Sequence, residues 1–225
     1  MCMNRAVWLS NHEGKMEGMQ SLSTPCSIND RCKRNAEIEG SICSKCYAMQ
    51  LLSYRHSTEE HLIDNFQLLN DHLLTAAEMP IINAAFFRIE AFGDVSSVLQ
   101  AANYIEIIRF NKWCNFAVFT KNPDLYKAAF KDHPKPSNMI FVVYSLFINK
   151  ESAAWKAFPE VDIIFTCYDA QFAIDHNISI NCGSADCLGC RNCYTVQPGL
   201  RFVNEIVKDQ QKLYYKLLKK QLQQQ

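Results

Sequence analysis

Residues 115–145, NFAVFTKNPDLYKAAFKDHPKPSNMIFVVYS, decide the fold. Two runs rich in Phe, Val and Ile, 115–120 and 139–145, read as strands buried on both faces, as parallel strands are. Between them Asn122-Pro123 marks a helix start, with proline at the first helical position, and predicts a helix over 123–130. A strand, a helix and a second buried strand form one β-α-β unit. Working outward, the same alternation recurs. Strands are predicted over 84–90 (AAFFRIE), 161–167 (VDIIFTC) and 178–182 (ISINC), and a first one around 19–24 (MQSLST). Helices are predicted over 96–111, 150–158 and 169–176. Two longer helices flank this core, one from Cys46 to Leu74 and one from Gly199 to about Lys220. The second places Phe202, Ile206, Leu213 and Leu217 on one face, which makes it an amphipathic packing helix, and the closing QLQQQ reads as a frayed tail.

Repeated units of this kind imply a parallel sheet. About six parallel strands suit a partial or distorted (β/α) barrel, with a doubly wound open sheet as the alternative. No low-complexity linker interrupts the chain, so 1–225 is expected to form a single α/β domain, with cysteine-rich loops near both ends of the barrel. In either architecture functional groups gather at the C-terminal ends of the strands. There the sequence places Glu90-Ala91-Phe92-Gly93-Asp94, Thr120-Lys121-Asn122, Ser145, Cys167-Tyr168-Asp169 and Asn181-Cys182-Gly183. Arg88, Glu90, Asp94, Lys121 and Tyr144 are the candidates for lining a pocket. Arg88 and Glu90, two apart on a strand, are expected on the same side, either as an ion pair within the sheet or facing a ligand.

Eleven cysteines in 225 residues need a reason. The first fifteen residues, MCMNRAVWLSNHEGK, hold no signal-peptide hydrophobic core, and the apolar runs are too short to cross a bilayer. A reducing cytoplasm is therefore the expected compartment, which argues against a disulfide framework. Cys2, Cys114 and Cys167 read as isolated buried thiols. The other eight fall into two sets, Cys26, Cys32, Cys43 and Cys46, and Cys182, Cys187, Cys190 and Cys193. With 23 basic and 23 acidic residues the net charge is zero, which removes the footprint of a general nucleic-acid binder.

Cys187-x2-Cys190-x2-Cys193 matches the first three ligands of the bacterial ferredoxin run. Three closely spaced thiolates suit three corners of a [4Fe–4S] cubane, whereas a structural zinc site takes paired knuckles. No fourth cysteine follows Cys193. The fourth ligand is Cys182, a cysteine of the first set, or a non-protein group. The first set, with its Cys43-x2-Cys46 knuckle, suits a second cubane or a zinc site. His56 and His61 read as solvated helix residues.

Four pieces resemble a known family. They are Ser21-Leu22-Ser23-Thr24-Pro25; Cys43-Ser44-Lys45-Cys46-Tyr47-Ala48; Phe87-Arg88-Ile89-Glu90-Ala91-Phe92-Gly93-Asp94 followed by Phe119-Thr120-Lys121-Asn122-Pro123; and the terminal Cys-x4-Cys-x2-Cys-x2-Cys. Together they resemble the phage gene product 88 family, a group without a firm biochemical function, and imply a bacterial host cytoplasm. A more distant likeness runs from Cys43-x2-Cys46-Tyr47-Ala48 to the end of the radical S-adenosylmethionine signature. That likeness implies a cluster with one open iron at the mouth of a partial barrel and a strand end, Arg88 to Asp94, facing the cofactor. The sequence departs from it in having Cys32, not a cysteine four residues before Cys43, as the nearest upstream thiol. Three functions are thus in view: an iron–sulfur protein with a redox or electron-transfer role and a redox partner, an S-adenosylmethionine enzyme, and a zinc-stabilised interaction protein. No phosphate loop and no Ser–His–Asp arrangement is present.

Overall fold

The computed structural model describes residues 7–183 and 186–223; Cys2 and the last two glutamines lie outside them. Strands β1 (Ser10–Asn11) and β2 (Gln20–Leu22) form an antiparallel pair joined by a short turn. Helices α1 (Asp30–Ala36), α2 (Tyr47–Leu52) and α3 (His56–Asp71) follow. Then come β3 (Phe86–Ile89), α4 (Val98–Phe110), β4 (Asn115–Thr120), α5 (Pro123–Ala129), β5 (Met139–Tyr144), α6 (Ala154–Ala157), β6 (Ile163–Tyr168) and α7 (Ala170–Asp175). Beyond lie α8 (Cys187–Cys190), β7 (Phe202–Ile206) and α9 (Gln211–Leu222). One seven-stranded sheet runs β1 to β7 in chain order, parallel throughout from β2 onward. A doubly wound sheet would reverse its strand order, and this one does not. No pairing joins β1 to β7 among the described residues, so the sheet is open.

Both faces of the central strands are buried, as their continuous apolar runs require. Phe87, Ile89, Phe116, Val118, Met139, Phe141, Val143 and Ile164 pack against residues of α3 to α6 in the larger core. The intervening residues Ala117, Phe119, Ile140, Val142, Ile163 and Phe165 point to the opposite, inner face. There they meet Met19 and a segment from the other end of the chain, Cys182, Cys187, Leu188, Cys193 and Tyr194.

Three expected elements differ. The helix expected over 46–74 divides at 53–55, where the Ser53 hydroxyl donates to the Gln50 carbonyl (2.7 Å) and competes with the helical ladder. The helix expected from Gly199 begins only at Gln211, and its first part is β7, paired with β6 from Ile164↔Phe202 to Tyr168↔Ile206. The segment 178–182 is not a strand. Asn181 instead covers the outer edge of β7: its side chain accepts from the Asn204 amide (2.8 Å) and donates to the Phe202 carbonyl (2.9 Å). That shields an edge otherwise open to further pairing. The parallel strands still number six, with 202–206 in place of 178–182.

Candidate metal centres

Each cysteine of the first set is placed by a short local device. Asn29 caps α1, its side chain accepting from the Arg31 and Cys32 amides (3.0 and 3.2 Å) while donating to the Asp94 carbonyl (2.7 Å). Cys32 is thereby tied to the loop after β3. That loop presses on the end of β2: a Cβ at Gly93 would lie 2.3 Å from the Thr24 carbonyl oxygen, so only glycine fits. Ser41 accepts from the Cys43 amide (3.0 Å), and a bridge from Ser41 to Phe147 pins this turn to the loop after β5. Cys46 stands at the start of α2. Its sulfur accepts from the Cys26 thiol, and the Met49 and Ala48 amides add to this, so its pKa falls to about 6 against the opposing effect of burial. Cys26 is raised, chiefly by that same bond to Cys46 and by burial, with Cys32 adding to the effect. Burial raises Cys43, opposed by Lys121 and reinforced by Cys46. Burial raises Cys32 too, with Asp94 and Cys43 adding and Lys121 opposing. Cys32, Cys43 and Cys46 thus feel the charge of Lys121, whose ammonium lies 4.4 Å over the Tyr144 ring.

The second set is built differently. Asp186 caps the single turn of α8, accepting from the Gly189 amide. Arg191, left-handed at φ 57°, ends that turn, its amide donating to the Cys187 carbonyl. Cys193 is pushed up by burial and then by Cys182, with Arg88 opposing and Cys187 and Cys190 adding; Cys182, Cys187 and Cys193 pack against the inner-face core. Lys15, from the turn between β1 and β2, donates to the Cys182 sulfur (3.2 Å) and pairs with Glu205 of β7 (2.7 Å). Burial raises Cys182 to about 11, with Glu205 adding and Lys15 opposing. A cleft of about 380 Å³ lined by Lys15, Cys182, Tyr214 and Tyr215 opens beside them.

The expectation that Cys182 closes a strand and so carries this set to the strand ends is corrected. The set lies across the inner face instead. Tyr194 meets Phe86, at the start of β3, ring to ring at 6.2 Å, and Arg191 lies 5.2 Å over the same ring. The reason is that Asn181 is engaged on the edge of β7, so the following residues fold over the sheet.

Among the pocket candidates, Arg88, Lys121 and Tyr144 are on the inner face, where Cys182, Cys187 and Cys193 also pack. Glu90 is not. Its φ of 61° breaks the strand alternation and turns its carboxylate toward α4, where it accepts from Tyr104 (2.5 Å), Thr24 (2.7 Å) and Gln100 (3.0 Å). The expected same-side arrangement with Arg88 is therefore corrected: Arg88 Nε reaches only the Glu90 backbone oxygen (3.3 Å). Asp94 accepts from Thr120 (2.6 Å) and from the Lys121 amide (2.8 Å), joining the ends of β3 and β4. His56 and His61 are exposed on α3, as expected. Cys114 and Cys167 are buried single thiols, Cys167 within 3.0 Å of the Tyr144 hydroxyl.

Lys15, Glu205 and Tyr194 carry no sequence signal for a site. Asn29-Asp30 before Arg31-Cys32 is a readable cap signal that would have placed Cys32.

All ten described cysteines are free thiols. Among the described residues no group of three or more His, Cys, Asp or Glu side chains is drawn into the geometry that holds a metal ion. The donor chemistry nevertheless suits one. Each set counts four thiols in sequence, the ligand number of a cubane or a tetrahedral zinc, with Lys15 bonded to Cys182 and the charge of Lys121 acting on Cys32, Cys43 and Cys46.

A family model described as gene product 88 matches residues 4–201. No curated protein and no solved structure matches the chain, so the radical S-adenosylmethionine likeness gains no support from them.

Proposed function

The chain belongs to the gene product 88 family, and we propose that it is an iron–sulfur protein with a redox role. In this reading Cys182, Cys187, Cys190 and Cys193 hold a [4Fe–4S] cluster, and Cys26, Cys32, Cys43 and Cys46 hold a second centre. The observation that supports it is that Cys182, Cys187 and Cys193 pack against the same inner-face core, which makes Cys182 the candidate for the fourth thiol that the ferredoxin-like run lacks. The consecutive strand order, with α3 to α6 on one face, supports a partial (β/α) barrel whose inner face carries the C-terminal set.

Bound there, a cubane supplies reversible one-electron chemistry at a potential set by charge, hydrogen bonds and burial. The chain's own residues do the tuning. Lys15 donates to the Cys182 sulfur and favours its thiolate. The charge of Lys121 favours the thiolates of Cys32, Cys43 and Cys46. The apolar inner face, with Phe119, Phe165 and Tyr194, keeps water away from one side of the second set, and Leu52, Leu62 and Phe92 do so for Cys26, Cys32 and Cys46. Four protein thiolates leave no open iron position, which suits electron transfer to a redox partner better than substrate chemistry. No helix among the described residues is long and apolar enough to cross a membrane, and a reducing bacterial host cytoplasm suits thiols of this kind.

Anaerobic purification tests the reading. Broad visible absorption with iron and sulfide in equal amounts is expected, and Cys190→Ala should lose the iron of the C-terminal set. Stoichiometric zinc without sulfide would overturn the proposal in favour of a zinc-stabilised interaction protein. Unchanged iron in Cys190→Ala would refute the ligand assignment.

A further inference from the structure

The last helix, α9, carries its positive charge on one side. Lys212, Lys216, Lys219 and Lys220 are all exposed. At about 3.6 residues per turn they fall within an arc of about 100°. On the opposite side Tyr214, Leu217 and Leu218 pack against Tyr168, Phe172 and Ala173. None of the four lysines is ion-paired with a carboxylate among the described residues, although Lys15, Lys45 and Lys135 are. From residue 210 onward the sequence has no Asp or Glu, and Asp209 just before it is engaged by Lys45 (3.7 Å). The zero net charge of the whole chain averages over this local excess. Like charges three and four residues apart on a helix repel one another, a cost that a polyanion laid along them removes.

Beside this arc lies an aromatic cleft. Tyr215, 58% exposed, stands at the edge of the arc and on the rim of the 380 Å³ cleft that Lys15, Ile180, Cys182 and Tyr214 also line. Its ring meets that of Tyr214 edge-on at 5.6 Å, and a Cβ on Gly183, in the same cleft, would touch its hydroxyl at 3.5 Å. The ring is thus packed at one edge and open to solvent over most of its surface. An open ring next to a row of cations is the pairing that holds single strands, base on ring and backbone on charge. A membrane surface fits less well. Its binding draws on an apolar helix face that sinks among the lipids, and that face of α9 is already buried against α7 and the sheet. A duplex offers the same phosphates but keeps its bases stacked inside, out of reach of Tyr215.

We infer that α9 and the Tyr215 rim form a docking surface for single-stranded nucleic acid. The phosphates run along Lys212, Lys216, Lys219 and Lys220, and one base stacks on the Tyr215 ring. Recognition is by charge and stacking, so it is indifferent to sequence and to the choice of DNA or RNA. The inference does not depend on a metal at either cysteine set, although Cys182 borders the cleft.

The test is binding of the intact, anaerobically purified chain to fluorescently labelled oligothymidylate and oligouridylate, followed by anisotropy over a range of salt. Both strands should bind, and log affinity should fall with log salt at a slope of about −3, as four phosphate contacts on a single strand require. Changing Lys212, Lys216, Lys219 and Lys220 together to Gln should abolish the binding. The same change at Lys112, Lys131, Lys150 and Lys156, exposed lysines elsewhere, should leave it in place. Tyr215→Leu should weaken it about tenfold with the slope unchanged, and Tyr215→Phe should bind like wild type. No binding at low salt, an equal loss in the two lysine variants, or tighter binding of a duplex than of either strand would each overturn the inference. So would capture by phosphatidylserine vesicles with none by the oligonucleotides. Should the α9 lysine variant lose its fold, the wild-type slope and the Tyr215 pair decide. None of these readings bears on iron or sulfide content, so the iron–sulfur proposal stands or falls separately.

Discussion

Glu90 shows how one backbone angle sets the chemistry of a site. At φ 61° it occupies a conformation that costs a non-glycine residue roughly 1–2 kcal/mol. Four hydrogen bonds, from the Thr24 amide and hydroxyl, Gln100 and Tyr104, offset this. The result is that Arg88 lies on the inner face without a carboxylate beside it. Burial raises the Glu90 carboxyl from 4.5 to about 7, against the hydrogen bonds from Tyr104 and Thr24. The folded state therefore binds more protons than the unfolded chain between these two values, and its stability falls as pH rises through that window. Glu90→Gln does not ionise and lacks this dependence. Urea titrations at about pH 5 and about pH 7.5 should show wild type losing about 2–3 kcal/mol relative to the variant at the higher pH. An equal difference at both pH values would mean that Glu90 does not titrate in this window.

At the scale of elements, stability is concentrated in the central strands. Phe141 of β5 is fully buried, with the rings of Tyr126, Phe158 and Phe130 at 5.0, 5.5 and 5.7 Å. Phe141→Ala should cost about 3–5 kcal/mol, read as a lower urea midpoint with unchanged slope, whereas Val98→Ala at the exposed start of α4 should stay within about 0.5 kcal/mol. The same burial explains which elements could be read from sequence. NFAVFT and MIFVVY are apolar on both faces, a pattern that few other environments produce, and they sit where they were expected. Phe202-Val203-Asn204-Glu205-Ile206 carries no such mark. Its Phe202 and Ile206 are also four apart, as on a helix, and only the free edge of β6 makes it a strand. ISINC has strand composition, yet its asparagine does more by covering the edge of β7 than its backbone would by extending the sheet. At the candidate site, cysteine spacing is what divides the eight clustered cysteines into two proposed sets. The cations were less legible. Lys121 could be found from its strand end, but Lys15 lies 167 residues from Cys182, and no local pattern reports a contact of that span.

For the whole molecule, the consequence is that the second cysteine set ties the two ends of the chain together over a sheet that has its own core. The turn after β1 supplies Lys15, β7 supplies Glu205, and the Cys182–Tyr194 segment lies between them on the inner face. The larger core, between the sheet and α3 to α6, uses none of these residues. Metal bound to the native set alone stabilises whatever must be ordered to form that set. Here that is the inner-face segment and the β1–β2 hairpin, and not β4 to β6. Removing the proposed metal with a chelator under anaerobic conditions should therefore raise amide hydrogen exchange in 10–22 and 182–206, while β4, β5 and α4 keep their protection. Exchange rising together along the whole chain would show that metal and core form one cooperative unit. Unchanged exchange in 182–206 would show that the segment lies over the sheet without help from a metal. The first of these alternatives is disfavoured by the 48% hydrophobic content of the chain and by a sheet buried on both faces, which give the central strands ample apolar surface to stay folded unaided.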